Sequence, residues 1–101
     1  MKINLDDGRV VKVMFKHDLR REDRSGQIVT EAIVEISLVD AGPLTAMFTG
    51  LAYLHPNDRP CRRIGRKIAL TRALKKAEFI LVKRYRAQVW NGLVAQGMRL
   101  V

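Results

Sequence analysis

The chain has 101 residues, 48% of them apolar and 29% charged, with 19 Lys and Arg against 10 Asp and Glu for a net charge of +9. That length holds one domain (1–101) with a real core and not two. The longest uninterrupted aliphatic or aromatic run, Phe79-Ile80-Leu81-Val82, is far short of the roughly 20 residues a membrane span needs, and the single Cys61 excludes an internal disulfide framework or a multi-cysteine zinc site.

Taken in chain order, Met1-Lys2-Ile3-Asn4-Leu5-Asp6-Asp7 places acids where a signal peptide would have its apolar stretch, so a cytoplasmic protein is expected. Ile3 and Leu5 precede Asp6-Asp7-Gly8, and Val10 to Phe15 follow; an Asp-Gly pair between apolar runs predicts a hairpin with a type I′ turn. The second strand alternates, with Val11, Val13, Phe15 and Leu19 on one face and Lys12, Met14, Lys16 and Asp18 on the other. Arg20 to Gly26 has no apolar residue and reads as a solvated loop. Residues 27–39 form a third strand: Ile28, Ala32, Val34, Ile36 and Leu38 share one face, while Glu31, Glu35 and Ser37 share the other with Val29, Ile33 and Val39. After the turn Asp40-Ala41-Gly42-Pro43, a fourth strand runs from Leu44 to His55, with Leu44, Ala46, Phe48, Ala52 and Leu54 on one side and Thr45, Met47, Thr49, Leu51 and Tyr53 on the other. Four strands with short links make an antiparallel meander.

The period then changes from two to 3.6. His55 to Pro60 is a loop with N-cap residues, and no proline follows it. The spacing predicts one long helix from about Cys61 to about Val89, bending or ending near Asn91-Gly92, with a tail or short strand beyond Gly97. The expected fold is therefore α+β, a four-stranded antiparallel meander (1–55) packed against one long C-terminal helix (56–101).

The charge is uneven along this plan. Residues 1–58 carry 7 basic and 9 acidic side chains, and residues 59–101 carry 12 basic and 1 acidic. Such asymmetry fits an anionic partner for one face, although a solvated helix face also accounts for it. At 100° per residue, Leu70, Ala73, Leu74, Ala77, Ile80 and Leu81 fall on one arc that packs on the sheet, and Arg72, Lys75, Lys76, Lys83 and Arg86 fall opposite as a secondary basic face. Arg62, Arg63, Arg66 and Lys67 extend the core arc towards the helix start, yet they are cationic and cannot lie unpaired in an apolar core. Either the helix overhangs the sheet there or these residues ring an open site. Cations at a helix N-terminus work against the dipole, whereas an anion finds there backbone N–H groups, a favourable dipole and Arg forks. Arg59, Arg62, Arg63, Arg66 and Lys67 are thus the candidate anion-binding residues. Gly65 either lets a backbone or ligand come close or serves as the helix N-cap. Ile64, Ile68, Phe79, Val82, Val89 and Trp90 are apolar and lie off the core arc. Together with Met14, Val29, Ile33, Met47, Leu51 and Tyr53 on the second sheet face they make more apolar surface than a monomer ordinarily exposes, and a homo-oligomer is expected.

Catalytic and metal readings find little support. His17, His55 and Cys61 have no metal-ligand spacing, and a His near a strand end reads as a surface residue. Cys61 beside Arg62 and Arg63 would be activated if exposed, but no base accompanies it. No phosphate-loop or dinucleotide fingerprint is present. A non-enzymatic protein without cofactor or metal is expected, with nucleic acid or another phosphate-bearing ligand as partner.

The stretch Asn57-Asp58-Arg59-Pro60-Cys61-Arg62-Arg63-Ile64-Gly65-Arg66-Lys67-Ile68-Ala69-Leu70-Thr71-Arg72-Ala73-Leu74 resembles a segment of small phage proteins, in which an Asp-containing loop leads into Arg-Lys-x-Gly-Arg-x-x-Ala-Leu-x-Arg-Ala-Leu. The resemblance covers about 18 residues. It implies an early phage product that binds nucleic acid or neutralises a host defence, the latter by gripping a host effector protein or by sequestering a cyclic-nucleotide signal at a subunit interface.

Overall fold

The computed structural model describes residues 1–20, 28–54 and 61–98. Four strands, β1 (Lys2–Asn4), β2 (Val10–Arg20), β3 (Ile28–Ser37) and β4 (Leu44–Leu54), pair in the order β1-β2-β3-β4, each antiparallel to its neighbour. Two helices, α1 (Arg62–Lys76) and α2 (Lys83–Ala95), follow. The α+β meander expected from the alternation is therefore present. The expected loop at Arg20–Gly26 lies, from residue 21 on, outside the described residues, as do His55 to Pro60.

Alternation chose the buried face. Val11, Val13, Ala32, Val34 and Ile36 are almost fully buried beneath the helices, with Phe15, Ala46 and Phe48 packed against them. Leu38 and Leu44, expected inward, are exposed: Leu38 lies beyond the end of β3, and a register shift after Ile36↔Ala46 pairs Leu44 with Ser37, a residue of the outward face. Register holds from Val10↔Ser37 to Lys16↔Glu31 and shifts before Leu19↔Val29.

The β1–β2 turn sits where the Asp-Gly pair predicts, but its type differs. Gly8 N–H donates to Leu5 O (3.1 Å), and Leu5 N–H donates to Arg9 O (2.9 Å). Gly8 alone takes a positive φ (+94°) in this turn. The loop is thus three residues long and ends in a left-handed glycine, a bulged turn rather than type I′.

The seat of the helical layer is a glycine. A Cβ on Gly50 of β4 would lie 2.1 Å from Ala69 O and 2.4 Å from Ala73 N, so the α1 backbone rests directly on the strand. Ala69 and Ala73 are fully buried there, flanked by Leu70 and Leu74. Gly65 makes a similar close approach nearer the helix start, where a Cβ would meet Thr30 Oγ1 at 2.7 Å. Gly65 is therefore neither the N-cap, which is Cys61, nor a ligand approach; it lets the first turns of α1 lie close over β3.

The helical segment divides at residues 77–82. Ala77 and Leu81 are fully buried, and the Ala77 carbonyl accepts from both Ile80 N–H (3.0 Å) and Leu81 N–H (2.8 Å) in a single turn before α2 begins. Arg9 donates from Nη1 to Ile80 O (2.8 Å) and lies over the Tyr85 ring (4.9 Å). The break re-phases everything after it. Val89, placed off the core arc on a continuous helix, is fully buried with Leu93. Ile64 and Ile68 on α1 stay exposed as their angles require, and Phe79 and Val82 in the break are exposed as well. Gly92 does not end α2; it faces Ile3, whose Cγ1 would lie 2.8 Å from an added Cβ. The true end is a Schellman turn at Gly97 (φ +91°), with Met98 N–H bonding Leu93 O (3.1 Å) and Gly97 N–H bonding Val94 O (3.0 Å).

Gly50→Ala should destabilise the protein by about 3 kcal/mol or more, because backbone and not a flexible side chain must move. Gly8→Ala meets no neighbouring atom and should cost only about 1 kcal/mol of conformational strain. Urea titrations of both variants check the order.

Candidate anion-binding helix start

The N-terminus of α1 follows Cys61, an exposed residue in extended conformation whose side chain makes no capping hydrogen bond. The first turn holds no acidic residue. Its backbone N–H groups point out of the helix, because the first four lack an intrahelical acceptor. Around them stand the expected cations. Arg62, Arg63 and Lys67 are exposed, and Arg66 is half-buried. The buried part of α1 is Ala69, Leu70, Ala73 and Leu74, all C-terminal to this cluster. Arg59 lies outside the described residues.

Arg66 lines an open cleft of about 590 Å3 between the start of α1 and the end of α2, together with Phe15, His17, Met1 and Met98. The Phe15 and His17 rings lie nearly parallel along β2, 15° apart with centroids at 6.2 Å. His17 is a residue that spacing arguments left on the surface. Its signal was parity: Val13, Phe15 and His17 share one face, and that face lies under the helices.

The secondary basic face is not one surface. Arg72 and Lys76 reach across β4, the edge strand, where Arg72 Nη1 donates to Leu51 O and Lys76 Nζ to Thr49 O, both at 2.7 Å. These two cations cover the sheet edge against pairing with another chain. Lys75 stays exposed on α1, whereas Lys83 and Arg86 belong to α2, the first exposed and the second half-buried. A continuous helix would have aligned all five; the break at 77–82 separates them.

Four acids lie away from this cluster. Glu31 and Glu35 lie among the outward-facing residues of β3, on the side away from α1. Asp6 accepts a hydrogen bond from Arg84, and its backbone N–H donates to Gln88 Oε1 (3.1 Å). Asp40 accepts from Lys2 Nζ at 2.8 Å. The Arg84 hydrogen bond holds the Asp6 carboxyl below the usual carboxylate range, and the Lys2 hydrogen bond does the same for Asp40. These pairs tie the β1–β2 turn to α2 and the β3–β4 turn to β1, at the sheet end away from the basic helix start. Among the described residues no three of His, Cys, Asp and Glu come together to hold a metal ion, and no helix is long and apolar enough to cross a membrane. Comparison with known proteins finds no matching family model, no matching curated protein and no matching solved structure.

A carboxyl whose pKa is lowered on folding contributes stability above its unfolded pKa and loses it as pH falls through the folded value. Asp6→Asn should therefore lower Tm at pH 7, by a few degrees at most for so exposed a pair. The variant and the parent should converge as pH falls through the lowered folded-state pKa of Asp6. Thermal melts from pH 2 to pH 7 check the convergence.

Proposed function

We propose that the protein is a non-enzymatic nucleic-acid-binding protein that grips the phosphate backbone with the start of α1. One observation carries this reading: four cations crowd the first two turns of a helix whose first turn holds no acidic residue. Stability alone disfavours that arrangement, since each cation opposes the helix dipole by a few tenths to about 1 kcal/mol. A phosphate reverses the sign of the effect, because it meets the dipole, the outward N–H groups and the guanidinium forks at once. The contacts available are backbone contacts, so the reading implies affinity without strong sequence preference. The cleft beside the cluster is open rather than closed, which suits a passing strand better than a sequestered cyclic nucleotide. An origin in a phage, where such a protein meets host nucleic acid, belongs to the same proposal and rests on the resemblance of residues 57–74.

Fluorescence anisotropy with labelled duplex and single-stranded oligonucleotides across a salt series tests the proposal. Binding at 50 mM salt should weaken steeply as salt rises, with Kd on the order of 10−6 to 10−4 M at physiological salt. Arg63→Gln with Lys67→Gln should lower the magnitude of the log–log salt slope by about 0.9 for each duplex phosphate that is no longer neutralised. Lys75→Gln with Lys83→Gln, away from the helix start, should leave the slope nearly unchanged. Absence of binding at 50 mM salt, or equal effects from both pairs, would reject the helix start as the site.

A further inference from the structure

Both helices lie on one side of the sheet, and among the described residues the other side has no helical layer. On that side Met14, Met47 and Tyr53 are 41%, 56% and 45% exposed, and Ile33 and Leu51 are half-buried. Charges flank the apolar centre in two columns: Lys12 and Lys16 on β2, Glu31 and Glu35 on β3, in register as Lys12↔Glu35 and Lys16↔Glu31. The row between them is Met14↔Ile33. Within a chain of net charge +9, these four charges cancel, and Lys2, in register beside Lys12, is paired with Asp40. A polyanion gains nothing from such a surface, and a strongly basic or acidic protein finds no net opposite charge on it.

We propose that this helix-free face is a homodimer interface, with a twofold axis running along the strands between β2 and β3. Rotation about that axis places β2 of each copy over β3 of the other and keeps every row at its own level. Lys12 then faces the second copy's Glu35, Met14 faces its Ile33, and Lys16 faces its Glu31. The columns reject the other face-to-face twofold, with its axis across the strands, because that rotation sets Lys over Lys and Glu over Glu. Aligned sheets pack with a twist of about 30°, small enough for the three central rows to stay opposed. Three strands of about ten residues, about 4.8 Å apart, with the three-residue β1 beside them present roughly 500 Å2 per copy. The total of roughly 1,000 Å2 falls in the range of weak, transient interfaces, so association in the micromolar range or weaker is expected. The dimer turns the two α1 starts outwards on opposite sides. It does not depend on what those helix starts bind.

Sedimentation equilibrium at physiological salt, from about 5 to 500 µM protein, tests the interface. The parent should move from the 11.5 kDa monomer towards twice that mass. Lys12→Glu with Lys16→Glu makes both columns acidic, and Glu31→Lys with Glu35→Lys makes both basic. Each variant alone should raise the dimer Kd more than tenfold, and an equimolar mixture of the two should dimerise. Parent protein monomeric throughout, either variant dimerising like the parent, or a mixture that stays monomeric would overturn the proposal. Should a variant fail to fold, by circular dichroism, the parent alone still decides the matter. On dilution, amide resonances of Met14, Ile33, Met47 and Leu51 must shift while those of α2 stay fixed; shifts confined to the helices would refute the interface.

Discussion

The contact of α1 with Gly50 governs the architecture. A helix normally packs on a sheet through side chains, at a spacing of about 10 Å. Here Ala69 and Ala73 press helix backbone against strand backbone, and no residue but glycine fits beneath them. That contact fixes the height and the axis of α1 over β3 and β4. Leu70 and Leu74 are then driven into the space above Val34 and Ile36, and Arg72 and Lys76 are brought within hydrogen-bonding distance of the β4 carbonyls. Gly65 over Thr30 keeps the early turns of the helix equally low. The position of Arg62, Arg63, Arg66 and Lys67 follows from this seat: around Gly65 the sheet-facing arc has no core left to fill, and the side chains there meet solvent and the cleft.

A second constraint closes the domain. The turn at Asp6–Gly8 is bound to α2 through Asp6 and Gln88, through the Asp6–Arg84 pair, and through Arg9, which reaches Ile80 O and the Tyr85 ring. Asp6, Asp7 and Asp40 are spent on such local ties, and Glu31 and Glu35 lie on the helix-free face of the sheet. The basic excess is left on the helical side without acidic neighbours in its first turn. Polarity of charge and polarity of fold coincide: helices and cations on one side, a balanced and partly apolar sheet surface on the other.

Much of this was legible in the sequence. Alternation at Val11, Val13, Ala32, Val34 and Ile36 marked both the strands and their buried face, and the arc Leu70, Ala73, Leu74, Ala77 and Leu81 marked the face of the helical segment. Periodicity reports burial, and here burial decides. What it missed lay in three-dimensional contacts with no local signature. Residues 77–82 contain neither glycine nor proline, and the helix breaks there because tertiary packing buries Leu81 and Arg9 claims the Ile80 carbonyl. That single break undid the alignment of Lys83 and Arg86 with α1 and moved Val89 into the core. The Asp7-Gly8 pair located the turn correctly, yet its type depended on Asp6 joining the loop. Gly65 carried a sequence signal without a direction; only the opposing Thr30 shows which close approach it serves.

The central claim is that the start of α1, and not the basic surface as a whole, is where anions engage. Backbone amide shift mapping of the isotope-labelled protein, titrated with a short phosphodiester oligonucleotide at low salt, tests this most directly. Perturbations should concentrate at residues 61–68 and at Phe15, His17 and Met98 around the cleft. A response spread evenly over Lys75, Lys83 and Arg86, or centred on the helix-free sheet face, would contradict it.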